Sequence, residues 1–84
     1  MRLDLFLKKT TLIKRRTVAK EIVERGHAFV DNKIAKPSSE VKDGDLITLK
    51  LGPRTIVVKA IIEIKKEKEI PGYEMVKEER QENA

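Results

Sequence analysis

Lys14-Arg15-Arg16-Thr17-Val18-Ala19-Lys20-Glu21-Ile22-Val23-Glu24-Arg25-Gly26 is the stretch that decides the fold. Three cations stand in a row at its start. Val18, Ala19, Ile22 and Val23 then recur at helical spacing on one face, with Lys20, Glu24 and Arg25 on the other. The spacing predicts a helix from about Arg16 to Arg25, stopped by Gly26 as a left-handed C-cap. Arg15 or Arg16 occupies the N-cap, where Ser, Thr, Asp or Asn would satisfy free N–H groups. Thr17 could serve instead, but Lys20 follows it where a capping box needs Glu or Gln. One segment thus combines a core face, a cationic leading edge and a helix start open to an anion.

On its N-terminal side, residues 2–9 read as a shorter helix. Leu3, Phe6 and Leu7 are spaced i, i+3, i+4 and should face the core. Asp4 lies in the first turn, where it can cap its own helix, pair with Lys8 at i+4, or orient a neighbouring arginine. Thr10 or Thr11 is expected to cap one more short helical turn through Leu12 and Ile13, which would pin the cationic cluster to the core.

On its C-terminal side the period changes to two. Ala28 and Val30 alternate with His27 and Phe29 as a strand, and Asp31-Asn32 is a tight turn into a short strand at Lys33-Ile34-Ala35. Lys36-Pro37-Ser38-Ser39 reads as a loop and Asp43-Gly44-Asp45 as a turn. Ile47, Leu49 and Leu51 line one face of a third strand. After Gly52-Pro53, Ile56, Val58, Ala60, Ile62 and Ile64 line a long fourth one. Lys65 to Glu69 has mixed charge and no apolar period, so it reads as a solvated extension or linker. Pro71-Gly72 is expected to break the chain, with a short last strand near 73–77 and fraying from Glu78 to Ala84. The expected division is a domain at 1–64 and a charged extension at 65–84. The fold class is α+β, with short N-terminal helices packed on a small antiparallel sheet.

Eighty-four residues suffice for one small domain with a modest core and leave no room for a deep substrate cavity. Cysteine is absent, which excludes disulfides and thiol chemistry, and the single histidine, His27, cannot form a zinc site alone. No metal and no cofactor is expected, and there is no glycine-rich cofactor loop. No apolar run approaches the ~20 residues of a membrane span, so no membrane partner is expected and a cytoplasmic location is the default. The net charge is +5 and uneven: residues 1–25 hold eight Lys/Arg against three acids, residues 26–64 six against five, and residues 65–84 five against six. The excess sits in the first 25 residues, the footprint of a polyanion partner such as RNA.

The order Arg2-Leu3-Asp4, Phe6-Leu7, Arg16-Thr17-x-Ala19, Ile22-Val23, Gly26, Val30-x-x-Lys33, Lys36-Pro37-Ser38-Ser39, Val41 and Gly44-Asp45 resembles the S-four RNA-binding domain, or alpha-L motif. The likeness covers roughly residues 1–51. Its small size and the run Leu12 to Thr17 look closest to the RqcP group of bacterial ribosome-associated quality control factors. The ribosome-associated heat-shock S-four proteins look more distant. Two departures stand out: Arg15 replaces a frequent Ser or Thr, and Lys33 replaces the glycine that often follows Asn32. The resemblance implies an alpha-L fold. It implies binding to an obstructed large ribosomal subunit, with large-subunit RNA, peptidyl-tRNA and RqcH as partners in alanine tailing; the chain itself, without a cofactor loop or a pocket-like set of acids, is expected to be non-enzymatic and a monomer.

Arg15 and Arg16 are the leading RNA-binding candidates, because guanidinium grips phosphate bidentately and stacks on bases. Lys14 and Lys20 are general phosphate contacts, and Lys8 and Lys9 add to the field. Arg2 and Asp4 join the set with support from the resemblance, and Lys36 does so from its fixed loop. His27 and Phe29 are secondary candidates; an outward aromatic beside a basic surface can stack on an unpaired base, or simply pack on a neighbour. No residue is a catalytic candidate. The rival readings are a general structured-RNA-binding or ribosome-assembly factor, an accessory domain of an RNA-modifying system, a DNA-binding module, and a protein adaptor.

Overall fold

The structure, a computed structural model, describes residues 1–81. Helix α1 (Leu3–Lys9) and helix α2 (Arg16–Glu24) precede strands β1 (Ala28–Val30), β2 (Lys33–Ile34), β3 (Leu46–Leu51), β4 (Arg54–Lys65) and β5 (Lys68–Arg80). The strands form one antiparallel sheet in the order β2-β1-β3-β4-β5. Short helices on an antiparallel sheet are the architecture the periodicity predicts.

Leu3, Phe6 and Leu7 of α1 are fully buried, as their spacing requires. They meet Ala19 and Val23 of α2 and the inward residues Ala28, Ile47, Leu49, Ile56, Val58 and Ala60 of the sheet. The inward set of α2 is narrower than predicted: Val18 is exposed and Ile22 only half-buried. A short helix lying on one neighbour buries a stripe, and Val18 falls outside it.

No helical turn forms between α1 and α2. The Thr10 hydroxyl instead donates back to the Phe6 carbonyl at 2.7 Å, closing α1, and Thr11 takes a positive φ of 62°. Ile13 donates its N–H to the Leu7 carbonyl and is buried, so it does pin the cationic segment to the core. Helix α2 ends as expected. Gly26, at φ +80°, donates to Val23, and His27 donates to Ile22, the paired hydrogen bonds of a Schellman motif.

The C-terminal part departs most from expectation. The run Lys65 to Glu69 is a hairpin: Lys65 pairs with Lys68 across a two-residue turn. Lys66 and Glu67 both take positive φ, as a type I′ turn requires. Pro71-Gly72 does not break the chain but lies inside β5, opposite Ile62 and Ile61. Proline is tolerated there because β5 is an edge strand. The strand extends well beyond 73–77. Val57 pairs with Lys77 and Val58 with Met75, so Val76 is bulged out. Glu78 does not fray; it pairs with Ile56, and its carboxylate takes the Arg54 guanidinium. Gln81 donates to the Pro53 carbonyl at 2.8 Å. The rest of the expected frayed tail lies outside the described residues. Ile64 faces the expected side yet is exposed, because the hairpin tip runs past the helices.

Candidate RNA interface

The centre of the basic surface is a carboxylate. Asp4 is 2% exposed, at the start of α1. Its Oδ1 accepts the Leu5 N–H at 2.8 Å. Arg2 grips both its oxygens, with Nε and Nη2 each at 3.3 Å. Arg16, at the head of α2, places Nε 3.5 Å from Oδ2. Burial of a carboxylate is costly unless it is paired and hydrogen-bonded, and here it is both. The two arginine side chains remain half exposed, at 51% and 50%. Each therefore keeps N–H groups facing outward while one edge is held from below. Of the three readings of Asp4, the structure shows it contacting its own helix start and two arginines. The i+4 partner Lys8 is not among its contacts among the described residues.

The loop at Lys36 is built into the same corner. Its Pro37 and Ser39 carbonyls accept the first N–H groups of α1, from Asp4 at 3.1 Å and Leu3 at 2.8 Å. The Lys36 N–H donates to Ser39 Oγ, fixing the turn and leaving the lysine side chain exposed. Beside it, the backbones of Arg2 and Glu40 pair in a single antiparallel β-bridge. The Met1 ammonium donates to Glu40 at 2.8 Å; this hydrogen bond raises the ammonium pKa and lowers that of Glu40.

Helix α2 starts as its sequence suggests. Arg15 is the N-cap in extended conformation, no side chain caps the free N–H groups, and no acid lies in the first turn. Lys14, Arg15 and Arg16 are all exposed around that open start. Lys20 sits one turn on and is 3.9 Å from Glu24. Lys8 and Lys9 close α1 on the exposed side.

The secondary candidates lie elsewhere. His27 is exposed just past the end of α2. Phe29 faces away from the helices, half-buried, and the Lys50 ammonium lies 5.1 Å from its ring centre. Its face is thus covered by a cation. Lys50 was absent from the sequence-based set. Only the β1–β3 register, which pairs Phe29 with Thr48, brings it close.

Residues 1–47 match the S4 domain family. The "RQC P-site tRNA stabilizing factor" of Listeria monocytogenes is 46% identical over 95% of this chain and 90% of its own length. The Bacillus subtilis protein of the same name is 43% identical over 95% of this chain and 96% of its own. Among solved structures, Vibrio cholerae Heat Shock Protein 15, described as trimeric, superposes with a TM-score of 0.74 at 26% identity, covering 90% of this chain and 81% of that one. An α+β fold with basic helices, a matching family signature and near-full-length relatives agree: the chain belongs to the S4 domain family, in the group of RQC P-site tRNA stabilizing factors.

Proposed function

We propose that the protein is a non-enzymatic RNA-binding factor that stabilises peptidyl-tRNA on an obstructed large ribosomal subunit, in the cytoplasm and as a monomer. The observation that carries this reading is the pair of half-exposed arginines, Arg2 and Arg16, held on the buried Asp4 beside the open start of α2. Held guanidinium groups next to free helix N–H groups form a phosphate clamp. Lys14, Arg15, Lys20, Lys8, Lys9 and Lys36 supply the surrounding field and the backbone contacts to ribosomal RNA and tRNA. The relatives' shared name supports the P-site tRNA as ligand. In this reading the factor supports alanine tailing by RqcH by holding the tRNA in place.

Affinity purification of the tagged protein, followed by sequencing of the bound RNA, tests the reading. Large-subunit RNA together with tRNA is the expected eluate. A protein-only eluate would favour the adaptor reading, and small-subunit or unassembled precursor RNA would favour a general assembly factor.

A further inference from the structure

A second basic group, Arg25 and Lys50 with His27 beside them, stands apart from the Asp4 corner. At the far end of α2, Ile22, Arg25, His27, Lys50, Leu51 and Gly52 line an open groove of about 430 Å³. Its floor is apolar: Ile22 and Leu51 are half-buried, and Gly52 adds no side chain. Arg25, His27 and Lys50, all exposed, form its rim, with the Lys50 ammonium resting over the neighbouring Phe29 ring, and no acid lines it. Among the described residues none of the three makes an ion pair, and the nearby Glu24 is taken by Lys20. The negative end of a helix dipole accounts for a cation at Arg25. It does not account for Lys50, which reaches the groove from β3.

The geometry points to a binding site for one unpaired RNA nucleotide, its base on the Ile22–Leu51 floor and its phosphate between Arg25 and Lys50, with the His27 ring beside them as a hydrogen-bonding group. This rests on the RNA-binding reading above and adds a second, single-strand-specific contact to it. A flat apolar floor suits the face of a base, and it is reached only when that base is not stacked in a duplex. The positive rim selects a ligand that carries phosphate. Helix α2 sets the separation from the first site. Nine residues at a rise of about 1.5 Å give about 13 Å between the Arg16 end and the groove, a few nucleotides along a strand. Arg25 also lies about half a turn round the helix axis from Arg16, so a single strand leaving a stem seated on Arg2 and Arg16 must pass round α2 to reach the groove.

Two RNAs with the same stem-loop test this, one blunt and one with a single-stranded oligouridine tail. The native protein should bind the tailed RNA about tenfold more tightly, the size of one charge-assisted contact. Arg25→Gln combined with Lys50→Gln should abolish that preference and leave affinity for the blunt RNA unchanged. Arg16→Ala should weaken both RNAs alike. With 4-thiouridine in the tail, photo-crosslinks should map to the peptides containing Ile22–His27 or Lys50–Gly52. Equal affinity for the two RNAs, survival of the preference in the double variant, or crosslinks confined to the first helix would overturn the groove site while leaving the Asp4 corner standing. Failure of the native protein to bind either RNA would overturn both.

Discussion

Arg16 Nε lies 3.5 Å from Asp4 Oδ2, so the arginine at the head of α2 is aimed by a carboxylate buried in α1. The same carboxylate holds Arg2. On the proposed RNA-binding surface a negative charge opposes the field, and the role proposed for it is to fix two guanidinium groups.

Asp4→Asn therefore discriminates between field and geometry. The change raises the net charge by one, so an RNA surface governed by charge alone would bind more tightly. Loss of the aimed pair should instead weaken RNA binding by ~1–2 kcal/mol and cost about 1–3 kcal/mol of stability, the range for charged hydrogen bonds and their loss. Filter binding and thermal melting on the same samples read both. Tighter RNA binding by Asp4→Asn would remove the positioning role.

Arg16→Ala should weaken binding by ~1–3 kcal/mol and lower the salt slope by about one phosphate contact, with a stability loss of about 1 kcal/mol because the buried Asp4 keeps Arg2 but loses its second guanidinium. The charge-matched control is Lys68→Ala, on the exposed hairpin. Lys66 is a poorer control, because its φ of 49° would add backbone strain to the loss of charge. Equal losses of affinity from Arg16 and Lys68 would show that only net charge matters.

Leu7→Ala should cost ~2–5 kcal/mol, since the side chain is fully buried in the helix–sheet core. Val18→Ala should cost no more than about 0.5 kcal/mol, because that residue is exposed. Urea denaturation of the two variants checks the assignment of helix faces.

The Lys66-Glu67 turn can be improved. Both residues sit at positive φ, which Asn and Gly adopt with less strain. Replacing them by Lys66→Asn and Glu67→Gly should stabilise the protein by roughly 0.5–1 kcal/mol, raising the melting temperature by a few degrees. An unchanged or lower midpoint in calorimetry would mean that the turn is not strained.

The first half of the fold was legible because its residues obey local rules. Leu3, Phe6 and Leu7 keep a helical period, Gly26 marks a helix end, and Ile47 and Leu49 alternate on a strand buried on one side. β5 obeys no such rule. An edge strand with most side chains in water has no apolar period to read, and its turn carries Lys-Glu in place of the usual Asn-Gly. The basic patch was legible as composition, and Asp4 as a residue able to orient an arginine, but which of its possible partners it takes was not. Helical spacing offered Lys8 to Asp4, whereas the chain fold supplied Arg2 from before the helix and Arg16 from the next one. Lys50 was invisible for the same reason, since its neighbours are set by cross-strand register.

The β4–β5 hairpin also bears on how the protein assembles itself. Its pairs run outward from a two-residue turn, so they close between neighbouring segments, an event of microseconds for an isolated hairpin. The arginine corner has no such local route. The first amides of α1 wait for the carbonyls of Pro37 and Ser39, and Asp4 waits for α2. A chain that has formed this hairpin alone has not yet brought Arg2, Asp4 and Arg16 together. The arginine corner thus forms with the closing of the core and is lost when the core opens.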